Sequence, residues 1–162
     1  MANAVVRLDN MAGTTVGTLL RSVKFYADGA EKEIQNGAVV KLEALIDREV
    51  YKAVAPAAKT PINEVVLVAS PEVMYDERKR NLEDFINEAG DVARGYMFHT
   101  GDVFSVTAEA LTAAPAIGWA VELAEGTKMA AVETATEGAT QIGKVIAVEV
   151  VSGKTFYVIC VA

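Results

Sequence analysis

Few side chains in this sequence could act as a nucleophile, a general base or a metal ligand. It contains one histidine, His99, and one cysteine, Cys160. A single histidine excludes a multi-histidine metal site within one chain, and a serine-histidine-aspartate triad would have to use His99. No G-x-S-x-G nucleophile elbow is present, and Cys160 lies in an apolar run that favours burial. We therefore predict a structural role for His99 at a strand end or in a loop, and no catalytic residue.

Carboxylates are the other candidates for chemistry, and they are concentrated between Asp76 and Asp91. That stretch holds nine ionisable side chains, and the basic run Arg78–Arg80 is balanced by acidic neighbours. Glu83 and Asp84 are adjacent, so on a helix their side chains would point ~100° apart instead of converging on one ion. The alternating carboxylates and glycine of a calcium loop do not occur in the sequence. The pattern predicts a solvated surface, with no metal site and no cofactor.

Length and charge bound the class of protein. The chain has 162 residues, of which 52% are hydrophobic, and a formal net charge of −7. This length suits one domain with its own core. A net acidic chain is a poor ligand for nucleic acid or for an anionic membrane surface. The sequence shows no secretory signal pattern and no apolar run near the ~18 residues of a membrane span, so we expect synthesis in the cytosol and no membrane partner.

Short apolar runs separated by glycine- and proline-containing turns predict a mainly β protein, a barrel or sandwich of short antiparallel strands. The run Glu64–Ala69 is apolar without interruption, which is typical of a strand buried on both faces. The final two runs, joined by Ser152-Gly153-Lys154, predict a hairpin. These final two runs are Lys144–Val151 and Phe156–Val161. The other predicted strands or extended segments are Ala4–Leu8, Thr14–Tyr26, Ala38–Leu45, Glu49–Val54, Arg94–Phe98, Asp102–Thr107, Trp119–Leu123 and Met129–Val132.

One segment has a helical pattern. Leu82, Phe85 and Ile86 fall at i, i+3 and i+4, which marks one apolar face of a helix. We predict one short helix near residues 76–89, with Asn81 or Asp76 as its N-cap and Gly90 after its end. An irregular loop is the alternative.

Several segments, in the same order along the chain, resemble head decoration (auxiliary capsid) proteins of tailed bacteriophages, especially phages of Gram-positive hosts. They are NGAVVKLEAL (36–45), REVYKAVAP (48–56), VVLVASPEVMYDE (65–77), LEDFINEAGDVARGYMFHTGDVFSVT (82–107), GTKMAAVE (126–133) and IGKVIAVEV (142–150). The resemblance covers the chain from Asn36 onward and supplies no catalytic residues. It implies a protein of the capsid exterior that binds the major capsid protein, stabilises the expanded shell and self-associates, for example as a trimer.

The resemblance divides the chain into residues 1–35, an N-terminal arm or first strands that could contact the capsid, and residues 36–162, the β domain. The candidate contact residues are Val5, Val6, Arg7 and Leu8 of the arm, Tyr75, Arg78, Arg80 and Phe85 of the charged segment, and Trp119. An apolar arm could add a strand to a capsid edge. The alternative for the arm is an ordinary first strand, and the alternative for the charged segment is a solvated connection. For Trp119 the alternative is a half-buried position in the core.

Three other functions compete with this interpretation. The chain could be another virion component, such as the base of a head fibre or a tail protein. It could be a β-barrel enzyme that uses dispersed carboxylates, for example Glu43, Glu49, Glu88 and Asp102. It could also be a carbohydrate- or protein-binding module with an aromatic platform around Trp119.

Overall fold

A computed structural model describes residues 2–162 of the protein. Within them lie twelve β-strands and short 3-10 turns. The strands are β1 (Val6–Asn10), β2 (Leu20–Ala27), β3 (Ala30–Glu31), β4 (Val39–Asp47), β5 (Val50–Val54), β6 (Val65–Val68), β7 (Ala93–Met97), β8 (Val103–Val106), β9 (Ala120–Glu122), β10 (Ala130–Val132), β11 (Gln141–Val151) and β12 (Lys154–Val161). The 3-10 turns are Ala12–Thr14, Gly17–Leu19, Ile62–Glu64, Leu82–Asp84 and Ala108–Ala110. The predicted mainly β architecture is confirmed.

Five of the strands close into a barrel. Their order around the ring is β2, β5, β4, β6 and β7, and β7 pairs again with β2. The β2–β5 pair is parallel, whereas the other pairs around the ring are antiparallel. The short strand β3 pairs with β2 outside the ring, through a turn in which Asp28 and Gly29 both have positive φ. The predicted strands 38–45 and 49–54 are present as β4 and β5, which pair as an antiparallel hairpin.

The remaining six strands form a second sheet, which lies against the barrel. Its order is β1, β8, β12, β11, β9, β10, and each pair is antiparallel. The predicted terminal hairpin is present as β11 and β12, the two strands with the longest pairing register. The pairing of β9 with β11 shifts register between Gln141 and Gly143. A Cβ at Gly143 would collide with the carbonyl oxygen of Cys160, so this irregular position requires glycine.

Two apolar clusters form the core, one inside the barrel and one between the barrel and the second sheet. Strand β6 contributes to both because successive side chains point to opposite faces of a strand. Val66 and Val68 belong to the barrel interior, whereas Val65 and Leu67 belong to the inter-sheet cluster with Phe104. All four β6 side chains are fully buried. The prediction of a strand buried on both faces is confirmed.

The helix predicted near 76–89 is reduced to the 3-10 turn Leu82–Asp84. The next residue, Phe85, is extended, with φ −75° and ψ 135°, so the helical spacing of the apolar residues does not continue. The Asp84 carboxylate accepts a hydrogen bond from the Asn81 N–H at 3.0 Å, which satisfies the start of the turn. Asn87 then enters an isolated bridge with Ile34. The rest of the segment is irregular, as the alternative interpretation held.

Residues 2–35 contribute strands to both sheets, as the interpretation of this segment as first strands held. They supply β1 to the second sheet and β2 and β3 to the barrel sheet. The segment predicted as extended from Thr14 to Tyr26 begins with 3-10 turns and becomes a strand only at Leu20. The division of the chain at residue 36 stays a prediction.

Candidate functional site

His99 lies in the turn between β7 and β8 and has structural contacts there. Its backbone N–H donates to Asp102 Oδ2 at 2.9 Å, and its ring Nδ1 lies 3.0 Å from the carbonyl oxygen of Thr100. Asp102 is only 3% exposed. The other oxygen of Asp102 accepts a hydrogen bond from the N–H of Ala12 at 2.9 Å. This carboxylate therefore fixes the first turn of the chain against the start of β8.

Glu122 is a second buried carboxylate, 3% exposed, in β9. Its Oε2 accepts hydrogen bonds from the Thr136 N–H at 2.9 Å and from Gln141 Nε2 at 2.6 Å. Burial alone would raise the pKa of Glu122, but these hydrogen bonds from Thr136 and Gln141 outweigh it and hold the pKa below its ordinary value. The ionised carboxylate thus joins β9 to the first residue of β11.

Elsewhere in residues 2–162 the potential metal ligands are dispersed. No three His, Cys, Asp or Glu side chains in this range come together as ligands for a metal ion. No helix in the same range has the length and apolar character that a membrane crossing requires. Cys160 is half-buried and lies opposite Lys144 in the β11–β12 register.

The predicted contact residues of the N-terminus are buried or half-buried. Val5 is buried, and Val6 and Leu8 pack against the inter-sheet cluster. Strand β1 pairs with β8, with Val6 opposite Val106 and Arg7 opposite Ser105. Val5, Val6 and Leu8 therefore stabilise the second sheet, as the alternative interpretation of an ordinary first strand held, and their role as capsid contacts stays a prediction.

Arg7 alone among these four points to the outer face of the second sheet. Its guanidinium lies 4.7 Å from the centre of the Phe156 ring and donates to Glu149 Oε2 at 2.6 Å and to Ser105 Oγ at 3.2 Å. Ser105 Oγ in turn donates to Asp9 Oδ2. Arg7 thus covers Phe156 and neutralises the charge of Glu149 in β11.

The charged segment between β6 and β7 is held to the rest of the protein at a few points. Glu83 forms an ion pair with Lys154 at the start of β12, and its carbonyl oxygen accepts a hydrogen bond from Asn3. Asn87 Nδ2 donates to the carbonyl oxygen of Ile34 at 3.0 Å and to Asn36 Oδ1 at 3.1 Å. These contacts place the segment beside the start of β12 and the turn before β4.

Within that segment the four predicted contact residues differ in accessibility. Tyr75 is 95% exposed, Arg78 and Arg80 are exposed, and Phe85 is half-buried. Arg78 pairs with Asp76 through two hydrogen bonds of 2.8 and 3.0 Å, which hold the pKa of Asp76 below its usual range. Arg80 Nε donates to the Glu77 carbonyl oxygen at 3.0 Å. Tyr75 and the arginines are therefore accessible, with the charge of Arg78 already compensated.

Trp119 is half-buried and packs against the inter-sheet cluster, as the alternative interpretation of this residue held. Its carbonyl oxygen accepts a hydrogen bond from the Val145 N–H at 2.9 Å, and the neighbouring Gly118 N–H donates to the Val145 carbonyl oxygen at 2.8 Å. These two bonds are the last that join this segment to β11. The exposed side chain of Ile117 comes next to the point where the pairing stops.

Beyond Val145, strand β11 has a partner on one side only. We call residues 146–151 the free edge. Residues 147–151 pair with β12, Ile146 lies at a register shift of that pairing, and β9 pairs only with Gln141, Gly143 and Lys144. Within residues 2–162 no backbone hydrogen bond reaches the free edge from the β9 side. Four large apolar side chains on the free edge are exposed: Ile146, Val148, Val150 and Val151, with Val150 at 72%. An unpaired, apolar strand edge is a template for another strand.

Sequence reasoning predicted the strand but missed its significance. The run Lys144–Val151 was assigned as a strand, and none of its residues was a candidate for contact. No sequence signal marks this edge, because the three residues of β9 and the eleven of β11 become unequal neighbours only in the folded sheet. A strand that outruns its neighbour by this much must leave an edge unpaired.

Known proteins give no further assignment of this surface. No protein-family model, no curated protein and no solved structure matches the chain.

Proposed function

We propose that the chain is a structural virion protein that decorates the head of a tailed bacteriophage and stabilises the expanded shell. The sequence resemblance suggests this function, and the free edge of β11 is the observation that carries it. A decoration protein needs a stable body and a surface that adds binding free energy at many equivalent positions of a lattice. The closed barrel supports the first requirement and the exposed edge the second.

The free edge binds its partner by strand addition in this proposal. Main-chain N–H and C=O groups of residues 146–151 would pair with an extended segment, and the exposed apolar side chains would supply buried area and register. Glu149 already has a cationic partner in Arg7, at 2.6 Å, although Arg7 also lies 3.5 Å from Asp9. The edge would therefore accept an apolar strand without leaving an unpaired charge in the interface.

We assign that strand to the major capsid protein. A second copy of this chain carries the same net charge of −7, so pairing two copies through the edge works against charge repulsion. Self-association through other surfaces, including a trimer, remains part of the proposal. In this function the protein is made in the host cytoplasm and resides on the exterior of the virion.

Co-sedimentation with capsids of the parent phage tests the proposal. The wild-type protein is expected to pellet with expanded capsids and to remain in the supernatant with unexpanded ones. Replacing Val148 and Val150 together by lysine places two charges on the edge and is expected to abolish pelleting. The matched control replaces the exposed Val16 and Val73 by lysine and should pellet like the wild type.

Two results would overturn the proposal. Equal failure of the wild type to bind both kinds of capsid would remove the decoration function. Equal pelleting of the edge variant and the wild type would remove the edge as the contact. Electron microscopy of labelled particles distinguishes the head from the tail: label confined to the tail would favour another virion component.

A further inference from the structure

A second surface of the protein has the opposite electrostatic character from the chain as a whole. An open groove of about 670 Å³ lies beside the first residues of β2, β5 and β7. Three arginines from three separate elements line it: Arg21 in β2, Arg48 in the β4–β5 turn and Arg94 in β7. We call it the arginine groove. Half of the six arginines in a chain of net charge −7 meet at this one place.

Of the three arginines outside the groove, two have carboxylate partners. Arg7 and Arg78 form ion pairs with carboxylates, and the Arg80 side chain donates to a backbone carbonyl. Among the described residues 2–162, no carboxylate oxygen lies within 4.0 Å of a guanidinium nitrogen of the groove arginines. Glu49 is the single acidic residue of the lining. The groove therefore has an excess of uncompensated positive charge.

Local contacts hold part of this arrangement in place. The Arg21 guanidinium donates to the carbonyl oxygens of Thr18 at 2.6 Å and Leu20 at 2.8 Å, and it lies 6.0 Å from the centre of the Tyr51 ring. Carbonyl oxygens fix its direction but leave its net charge in place. A cation that is oriented before its ligand arrives loses less side-chain entropy on binding.

The backbone at Arg48 is unusual. Among the described residues 2–162, three other than glycine have positive φ, namely Asp28, Arg48 and Ser152. Asp28 and Ser152 each precede a glycine, as is common in tight hairpin turns. Arg48 has φ 41° and precedes Glu49, so the turn uses a side chain that the left-handed region disfavours. This backbone places a long cationic side chain at the rim of the groove.

The shape and lining of the groove indicate the ligand. Guanidinium groups bind carboxylates through paired hydrogen bonds. The groove also presents carbon surface from Leu20, Leu45, Pro71 and Val92 between and beside its cations. Its volume and open form suit several residues of an extended chain better than a single inorganic anion. We propose that the arginine groove binds an acidic peptide segment in which carboxylate and apolar side chains alternate.

This site is separate from the free edge, and the inference holds whether or not the protein decorates capsids. A peptide-binding measurement on the isolated protein tests it without any capsid. A fluorescein-labelled hexapeptide of alternating glutamate and valine serves as the probe, and anisotropy is measured at low and moderate salt. Saturable binding that weakens with added salt is expected.

Variants locate the binding. Arg48→Gln with Arg94→Gln removes two exposed charges from the groove and is expected to weaken binding roughly tenfold or more, because both guanidinium groups would lose their charge-assisted hydrogen bonds to peptide carboxylates. Arg78→Gln with Arg80→Gln removes the same charge elsewhere and should leave the affinity unchanged. Circular dichroism checks that both double variants remain folded, and Arg48 and Arg94 are exposed, so folding is not expected to change.

Four outcomes would overturn the inference. The first is that the wild type does not bind the peptide at millimolar concentration, and the second is that both double variants lose affinity equally. The third is that the matching glutamine–valine peptide binds with equal affinity. The fourth is that tripolyphosphate competes at a lower concentration than unlabelled peptide does. The last would assign the groove to phosphate compounds. Loss of capsid binding with retained peptide binding would count against the proposed function alone.

Discussion

Two valine-rich strands of this protein have opposite environments. Strand β6, Val65–Val68, pairs with β4 on one edge and β7 on the other, and its four side chains are fully buried. The free edge of β11, residues 146–151, pairs on one edge only and exposes four large apolar side chains. Similar sequences thus serve stability in one place and present a surface in the other. What separates them is the length of the neighbouring strands, because β9 ends before β11 does.

The largest expected effect tests the buried side of this comparison. Leu67→Ala removes a fully buried side chain from the inter-sheet cluster and should lower the free energy of unfolding by about 2–5 kcal/mol. Val150→Ala on the free edge should change it by less than about 0.5 kcal/mol. Chemical denaturation of both variants gives the two values. Equal destabilisation would mean that the free edge is packed as tightly as β6, contrary to the account.

The second prediction concerns the polar network that ends β6. Asn36 is buried, donates to the Ser70 carbonyl oxygen at 2.9 Å and accepts from the Ser70 N–H at 3.0 Å. Asn36→Ala leaves those backbone groups and Asn87 without their partner and should cost about 1–3 kcal/mol. Denaturation is again the measurement, with the exposed Asn81→Ala as control. A loss no greater than that of the control would show that water replaces the Asn36 side chain without cost.

The third prediction uses pH to probe the paired half of β11. The folded-state pKa of Glu122 is lowered, so its ionised form adds stability above its unfolded pKa of about 4.3, and this contribution is lost as pH falls through the folded value. Glu122→Gln should therefore be less stable than the wild type at pH 7, by about 1 kcal/mol. The difference should shrink below pH 4. Denaturation curves at pH 7 and pH 3.5 that showed the same difference would contradict this assignment.

The smallest expected effect on stability concerns the exposed valines of the free edge. Lysine at Val148 and Val150 should leave the free energy of unfolding within about 0.5 kcal/mol of wild type, because both side chains already meet solvent. Any tendency of the wild type to aggregate through the edge should fall. Thermal denaturation and light scattering at high concentration measure the two quantities. A large loss of stability would show that these valines belong to the core.

Sequence patterns predicted those elements of the fold that depend on residues close together in the chain. The uninterrupted apolar run of 64–69 indicated β6, and the Ser152-Gly153 turn indicated the terminal hairpin, because both signals lie within a few residues. The prediction of a helix near residues 76–89 was wrong, because it too rested on a local pattern alone. Its apolar spacing was local, but distant partners of Asn87 and Glu83 hold the chain in an irregular path.

Long-range relations could not be predicted from one sequence. The parallel pairing of β2 with β5 is one of the pairs of the barrel, and it joins residues 22–25 to residues 50–53 without a local signal. The arginine groove collects residues 21, 48 and 94 because β2 pairs with both β5 and β7. Val5, Val6 and Leu8 looked like an accessible arm because nothing near them in sequence revealed β8, their partner about 100 residues later.

Amide hydrogen exchange on the free protein and on the protein bound to expanded capsids tests the central claim most directly. In the free protein, amides of the free edge that point away from β12 should exchange rapidly, while those of β6 should exchange slowly. On capsids the edge amides should become protected, and β6 should not change. Protection of the free edge without capsid, or binding that leaves its exchange rate unchanged, would contradict the account.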